Sequence, residues 1–140
     1  MQNHYNLLYR EEEREMLPLC RCEGIGVIPW SPLARGLLAG RSGTVRSKTD
    51  DYAKRLYGAE ESDQKVIAQV RTVAESRRVQ PAQIALAWLL HKHGIIAPIV
   101  GVSKPPHLND ALGALQIKLS PEELTSLEAL YVPHTIAGHD

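Results

Sequence analysis

The 140-residue chain reads as an α/β domain in which parallel strands alternate with covering helices. Three observations predict this. The strand-like runs Ile25–Trp30 and Ile95–Val102 are continuously apolar, as strands buried on both faces are. Between them lie longer segments whose apolar residues recur at helical spacing. Proline and glycine stand where those helices should start and stop.

In chain order, Met1–Tyr5 is expected as a strand, with a turn at Asn6. A helix from Glu11 to Cys22 would place Met16, Leu19 and Cys20 on one face, with acidic residues in its first turn to complement the dipole. Gly24 ends it, and Ile25–Trp30 forms the second strand. Residues 31–62 are a long connection with four glycines and the bases Arg35, Arg41, Arg46, Lys48, Lys54 and Arg55. A loop of that length inside a compact domain is functional or disordered.

Asp63 is expected to cap a helix with Val66, Ile67, Val70, Val73 and Ala74 on its buried stripe. Pro81 opens a second helix, AQIALAWLLHKH, apolar on nearly every side and therefore largely buried. Ile95–Val102 is the third strand. Pro105 opens a helix with Leu108, Ala111, Leu112 and Leu115 on one face. Ser120 starts the last helix, where S-P-E-E spells a capping box with proline at the first position. Leu124, Leu127 and Tyr131 supply its buried side, and residues 132–140 form a loosely held tail. Three strands are too few for a doubly covered sheet, and a parallel (β/α)8 barrel takes roughly 250 residues. Residues 1–140 are therefore expected as one partial domain, the closing third to half of such a barrel.

Bulk properties exclude several functions. Lysine plus arginine and aspartate plus glutamate number 16 each, so there is no basic excess to engage nucleic acid or an anionic membrane. The apolar runs fall short of a membrane span. Charges follow soon after MQNHYNLLY, which argues against a secretory signal. Cys20 and Cys22 form a lone C-x-C without the further ligands that zinc needs. They are expected as free thiols of a cytoplasmic protein.

Two strand ends carry the chemistry. In IPWSPLARG, Ile28–Gly36, an indole is followed by Ser-Pro and free backbone amides at the C-terminal edge, where barrels place their ligands. Trp30 suits stacking on a planar heterocycle, and Ser31 with the following amides suits phosphate oxygens. A buried tryptophan before an ordinary turn fits the same letters. In PIVGVSKPPHL, Pro98–Leu108, glycine permits close approach, and Ser103 and Lys104 precede a proline-opened helix. A helix N-terminus with a hydroxyl and a lysine is a natural phosphate site. A capped surface helix with a solvated lysine is the plainer alternative. Lys104 is also the one lysine placed for Schiff-base chemistry at a strand end, but a phosphate accounts for it better.

Taken together, QNHYNLLYRE, GVIPWSPLARGLLAGR, PAQIALAWLLHKHG, APIVGVSKP and LEALYVPH resemble the aldo-keto reductase family, most closely its bacterial branch related to potassium-channel β subunits. The resemblance runs from Gln2 to His134. It implies the (β/α)8 barrel and reduction of an aldehyde or ketone substrate with NADPH. By that resemblance Gln2 would hold the nicotinamide carboxamide, and Trp30 would stack on the ring. Ser31, Pro32, Leu33, Ala34 and Arg35 would line the pyrophosphate, with Arg41 and Arg46 reaching over it from the 31–62 loop. Gly101, Ser103 and Lys104 would surround the adenosine 2′-phosphate, a dianion that favours NADPH over NADH where a cation meets it.

Near the adenine the chain has His107 and Ala111 where the related channel subunits have glutamine and asparagine, while Asp110 keeps an acidic group. The family's proton donor is a tyrosine supported by lysine, aspartate and histidine on earlier strands, and this chain starts after them. Tyr5, Tyr9, Tyr52, Tyr57 and Tyr131 do not match that position and read as core or rim residues. His91 and His93 read as a helix-end pair rather than metal ligands. The chain alone is therefore expected to hold cofactor without turnover. Alternatively, it is a nucleotide-binding module that completes its barrel with another chain through open edges.

Overall fold

A computed structural model describes residues 1–40, 56–57 and 61–136. Five α-helices lie among them: α1 (Met16–Cys22), α2 (Glu61–Arg77), α3 (Pro81–His91), α4 (Pro105–Gly113) and α5 (Pro121–Glu128). Short 3-10 turns occupy Glu11–Glu13, Ala34–Ala39 and Ala114–Gln116.

The three expected strands do lie side by side and parallel, but none forms a continuous ladder. Parallel bridges join His4 to Trp30 and Val27 to Ile95. Ile28 N and Trp30 N donate to Met1 O (2.8 Å) and Asn3 O (2.9 Å), tying the first segment to the second. Val27 donates to Gly94 O and accepts from Ile96 N, both at 2.9 Å, tying the second to the third. The next rung toward the third segment falls at Pro29, which has no N–H to give. Its carbonyl accepts from Ile99 N at 2.8 Å, so three residues of the third segment span two of the second, with Pro98 inside the bulge. Two prolines thus reduce the expected strands to isolated bridges.

The core is built on α3. Ile84, Ala85, Leu86, Ala87, Trp88 and Leu89 are all buried, as a helix apolar on every side requires. The expected stripe of α2, from Val66 to Ala74, packs into the same cluster with Tyr5, Leu7, Leu8, Leu119 and Leu127. Pro81 stands at the first position of α3, and Gln83 Oε1 accepts from Gln80 N at 3.0 Å. The capping box of α5 forms as its letters predict: Ser120 N donates to Glu123 Oε2 (2.7 Å), and Glu123 N to Ser120 Oγ (3.3 Å).

Four expectations need correction. The helix expected from Glu11 begins at Met16, because the Pro18 ring would clash with the Arg14 carbonyl in a continuous helix. Its buried residues are Leu17 and Cys20, and Leu19 is exposed. Gly24, at φ +65°, does end it: Gly24 N reaches Arg21 O and Ile25 N reaches Cys20 O, the paired bonds of a Schellman turn. Asp63 is not a cap but sits buried inside the first turn of α2, bonded to His134 Nε2 at 2.9 Å. The tail is held accordingly as far as His134, whose N–H also donates to buried Glu11 (3.1 Å); residues 137–140 lie outside the described residues.

The fourth correction concerns the third segment, expected as a buried strand, and with it the apolar face of α4. Ile96 is 68% exposed, and Leu108, Leu112 and Leu115 are exposed as well. The described chain covers them only in part.

Candidate nucleotide site

The Trp30 end is organised by a stack of three rings. His4 lies between Tyr9 (centroids 4.2 Å apart, planes 12° from parallel) and Trp30 (4.1 Å, 14°). Hydroxyl chemistry meets the stack at its edge. Tyr57, buried and at the far end of the long loop, hydrogen-bonds His4 Nε2 through its hydroxyl. The same hydroxyl accepts from Asn6 Nδ2 (3.1 Å) and lies 3.4 Å from Ser31 Oγ. Asn6 Nδ2 also donates to Ser31 O at 2.9 Å. Burial pushes the His4 imidazole down from 6.5 to about 4, so the ring is neutral at ordinary pH.

After Trp30 the backbone turns through conformations that side chains seldom adopt. Ser31, Ala34 and Arg35 have φ of +54°, +46° and +55°, and Gly36 follows at +103°. Left-handed non-glycine residues cost about 1–3 kcal/mol each and persist where the surroundings fix them. Here Ser31 O is held by Asn6 and by Ala34 N (3.0 Å), while Pro32 and Ala34 are buried. Leu33 is half-buried, and Arg35 is exposed at the turn.

Gln2 is exposed on the first segment, two residues before His4. At the other end Gly101, Ser103 and Lys104 are exposed where the third segment hands over to α4. Lys104 is the residue before Pro105, in extended conformation, and Ser103 Oγ lies 3.5 Å from His107 Nδ1. His107 and Asp110 are half-buried along the first turns of α4. Because Pro29 O accepts from Ile99 N, the two segments leave their last rung together. Ser31–Arg35 and Gly101–Lys104 therefore begin on the same edge. Arg41 and Arg46, expected over the pyrophosphate, lie outside the described residues.

His4, Asn6 and Tyr57 were not among the residues the sequence singled out. A signal existed for one of them: period two from Gln2 puts His4 on the same face of an extended segment. Nothing local marks Tyr57, which reaches the cluster across 51 and 53 residues of chain. His91 is the last residue of α3, as the sequence reading has it. Its Nε2 accepts from Leu119 N (3.3 Å) and its Nδ1 donates to Ala87 O (2.8 Å), so the ring ties the end of α3 to the residue before Ser120. Among the described residues no group of three potential metal ligands occurs. Cys20 and Cys22 are free, and no described helix is long and apolar enough to cross a membrane.

The chain is 49% identical over 99% of its length to a Schizosaccharomyces pombe protein whose name includes the words aryl-alcohol dehydrogenase. It is 43% identical over 97% of its length to versiconal hemiacetal acetate reductase of Aspergillus parasiticus, and 42% over 99% to an aldo-keto reductase of Fusarium vanettenii. It spans about two fifths of these relatives: 40%, 41% and 38% of their lengths respectively. The aldo/keto reductase family matches residues 1–132, nearly the whole chain that carries the ring stack, the strained turn and the α4 entrance, and the chain belongs to that family.

Proposed function

We propose that this chain forms the cofactor wall of an NADPH-dependent carbonyl reductase with a (β/α)8 barrel. The observation that carries the reading is the shared edge of two loops, one led by Trp30 and a strained backbone turn, the other by Ser103 and Lys104. The residues suit the group. Trp30 is half-exposed with His4 against its ring, the state of an indole ready to take a planar partner. The left-handed turn at Ser31–Arg35 fixes backbone amides in a tight curve, the kind of concavity that binds phosphate oxygens. Lys104 supplies the cation that a 2′-phosphate requires, at the start of α4.

When bound, the cofactor supplies the hydride that converts an aldehyde or ketone to an alcohol. This chain's residues would orient it: Gln2 toward the carboxamide, Trp30 against the ring, Ser31–Arg35 along the pyrophosphate, and Gly101, Ser103 and Lys104 at the 2′-phosphate. His107 and Asp110 would border the adenine. The tyrosine, lysine, aspartate and histidine that carry the proton in this family have no counterpart in residues 1–140, so proton donation to the carbonyl oxygen is assigned to another part of the site. The narrower placement in the bacterial branch rests on the motifs alone; the relatives compared are fungal. Titration with NADPH, following tryptophan fluorescence, tests the reading. Quenching that disappears in Trp30→Phe supports it; no saturable binding counts against it.

A second reading is favoured by one observation. Leu86, Leu90, Ile96, Pro98, Leu112 and Leu115 line an open apolar groove between α3, α4 and the third segment. A module that completes its barrel with another chain would bury it. Light scattering at rising concentration distinguishes the two readings, since a persistent monomer argues against this one.

A further inference from the structure

The proposed cofactor platform is Trp30, yet an indole at a segment end, half-exposed, is not held by its own backbone alone. Its ring plane is set by what lies behind it. His4 is 7% exposed, stacked on Trp30 on one side and Tyr9 on the other, and so cannot tilt without moving both. What remains free is rotation within the stack, and Tyr57 removes it. His4 Nδ1 is buried and has no hydrogen-bond partner among the described residues. A neutral imidazole placed so carries its proton on Nε2, because an orphaned acceptor is less costly than an orphaned N–H. Nε2 then donates to the Tyr57 oxygen, which also accepts from Asn6 Nδ2. The tyrosine's own proton is left for Ser31 Oγ. One hydroxyl thereby joins the ring behind the indole to the first residue of the strained turn.

We infer that His4 and Tyr57 are positioning residues of the nucleotide site, His4 fixing the plane of Trp30 and Tyr57 fixing both His4 and Ser31. The inference rests on the cofactor reading for its purpose, though the geometry of Trp30 can be read without cofactor. The plain alternative, that these are core residues filling space, predicts that their polar atoms are dispensable. Tyr57→Phe keeps the buried ring and removes only the hydroxyl. His4→Phe keeps an aromatic ring in the stack and removes the donor.

The test uses the full chain labelled with 5-fluorotryptophan, whose two 19F resonances report Trp30 and Trp88 separately, with Trp30→Phe giving the assignment. In both variants the Trp30 resonance is expected to shift or broaden while that of core Trp88 stays in place, and NADPH affinity to fall about 5–10-fold. An unmoved Trp30 resonance in both variants, with Trp88 native, overturns the inference. Should a variant unfold, the 15N shifts of His4 in the unaltered chain decide. A protonated Nε2 with an unprotonated Nδ1 is required, and the opposite tautomer or a charged ring at pH 7 overturns it. Failure of the cofactor reading looks different: Trp30→Phe and Lys104→Ala would leave NADPH binding unchanged whatever the 19F spectra show.

Discussion

The imidazole of His4 and the indole of Trp30 lie face to face, centroids 4.1 Å apart, at the parallel bridge between the first two chain segments. Packing and pairing therefore coincide there, and the neutrality of a buried histidine becomes part of the fold's stability.

That neutrality gives a pH dependence with a definite sign. His4 titrates near 6.5 unfolded and near 4 folded, so between those values the unfolded chain binds more protons. Its contribution is complete above pH 6.5 and is lost as pH falls toward 4, by up to about 3 kcal/mol. The groups around it, Tyr9, Trp30, Tyr57 and Asn6, offer no carboxylate to reverse the trend. Glu13 and Glu128, held below the usual range by Arg10 and Lys92 despite burial, add further loss as pH falls below about 4.5. Urea unfolding at several pH values is expected to show a falling midpoint from pH 6.5 to 4, and His4→Phe is expected to flatten that interval.

Gly113 is set against the amide of Gln83, where an added Cβ would come within 2.0 Å of Nε2. The Gln83 side chain can swing away, but its Oε1 is the partner of Gln80 N at the start of α3. Gly113→Ala should therefore cost about 1 kcal/mol through the lost cap rather than through helix propensity. In a Gln83→Ala background the same substitution is expected to be neutral or slightly favourable. Additive costs in the double-mutant cycle would contradict this coupling.

Ser120 caps α5 through Glu123 N and also donates to Glu122 at 2.6 Å, while Glu123 pairs with Arg77 of α2 through two short bonds of 2.5 and 2.6 Å. Ser120→Ala leaves the Arg77 pair intact. It is expected to destabilise by about 0.5–1 kcal/mol, a few degrees in thermal midpoint. A loss several times larger would mean that the cap also orders the α2–α5 contact.

Helices were legible where their signals were local. Pro81 and S-P-E-E fixed two starts, and the stripe from Val66 to Ala74 fixed the buried face of α2. Pro18 was equally visible, and its clash with the preceding turn explains why α1 starts at Met16. The two apolar runs marked the second and third segments but hid Pro29 and Pro98 within them, which is why a ladder was expected and bridges are found. Burial of α4 was not legible at all, because an apolar face says that something should cover it and not what does. In the candidate site, Trp30, Ser31, Ser103 and Lys104 stood out by motif, and the shared edge supports grouping them. His4 and Tyr57 did not, since their role comes from contacts between parts of the chain far apart in sequence.

The central claim is that this edge receives a nicotinamide nucleotide bearing a 2′-phosphate. Its most direct measurement is the affinity of NADPH and of NADH for the unaltered chain and for Lys104→Ala. Loss of one charge-assisted contact should weaken NADPH about 10–100-fold and leave NADH within about 2-fold. Equal weakening of both nucleotides, or NADPH affinity untouched by the substitution, would contradict the claim.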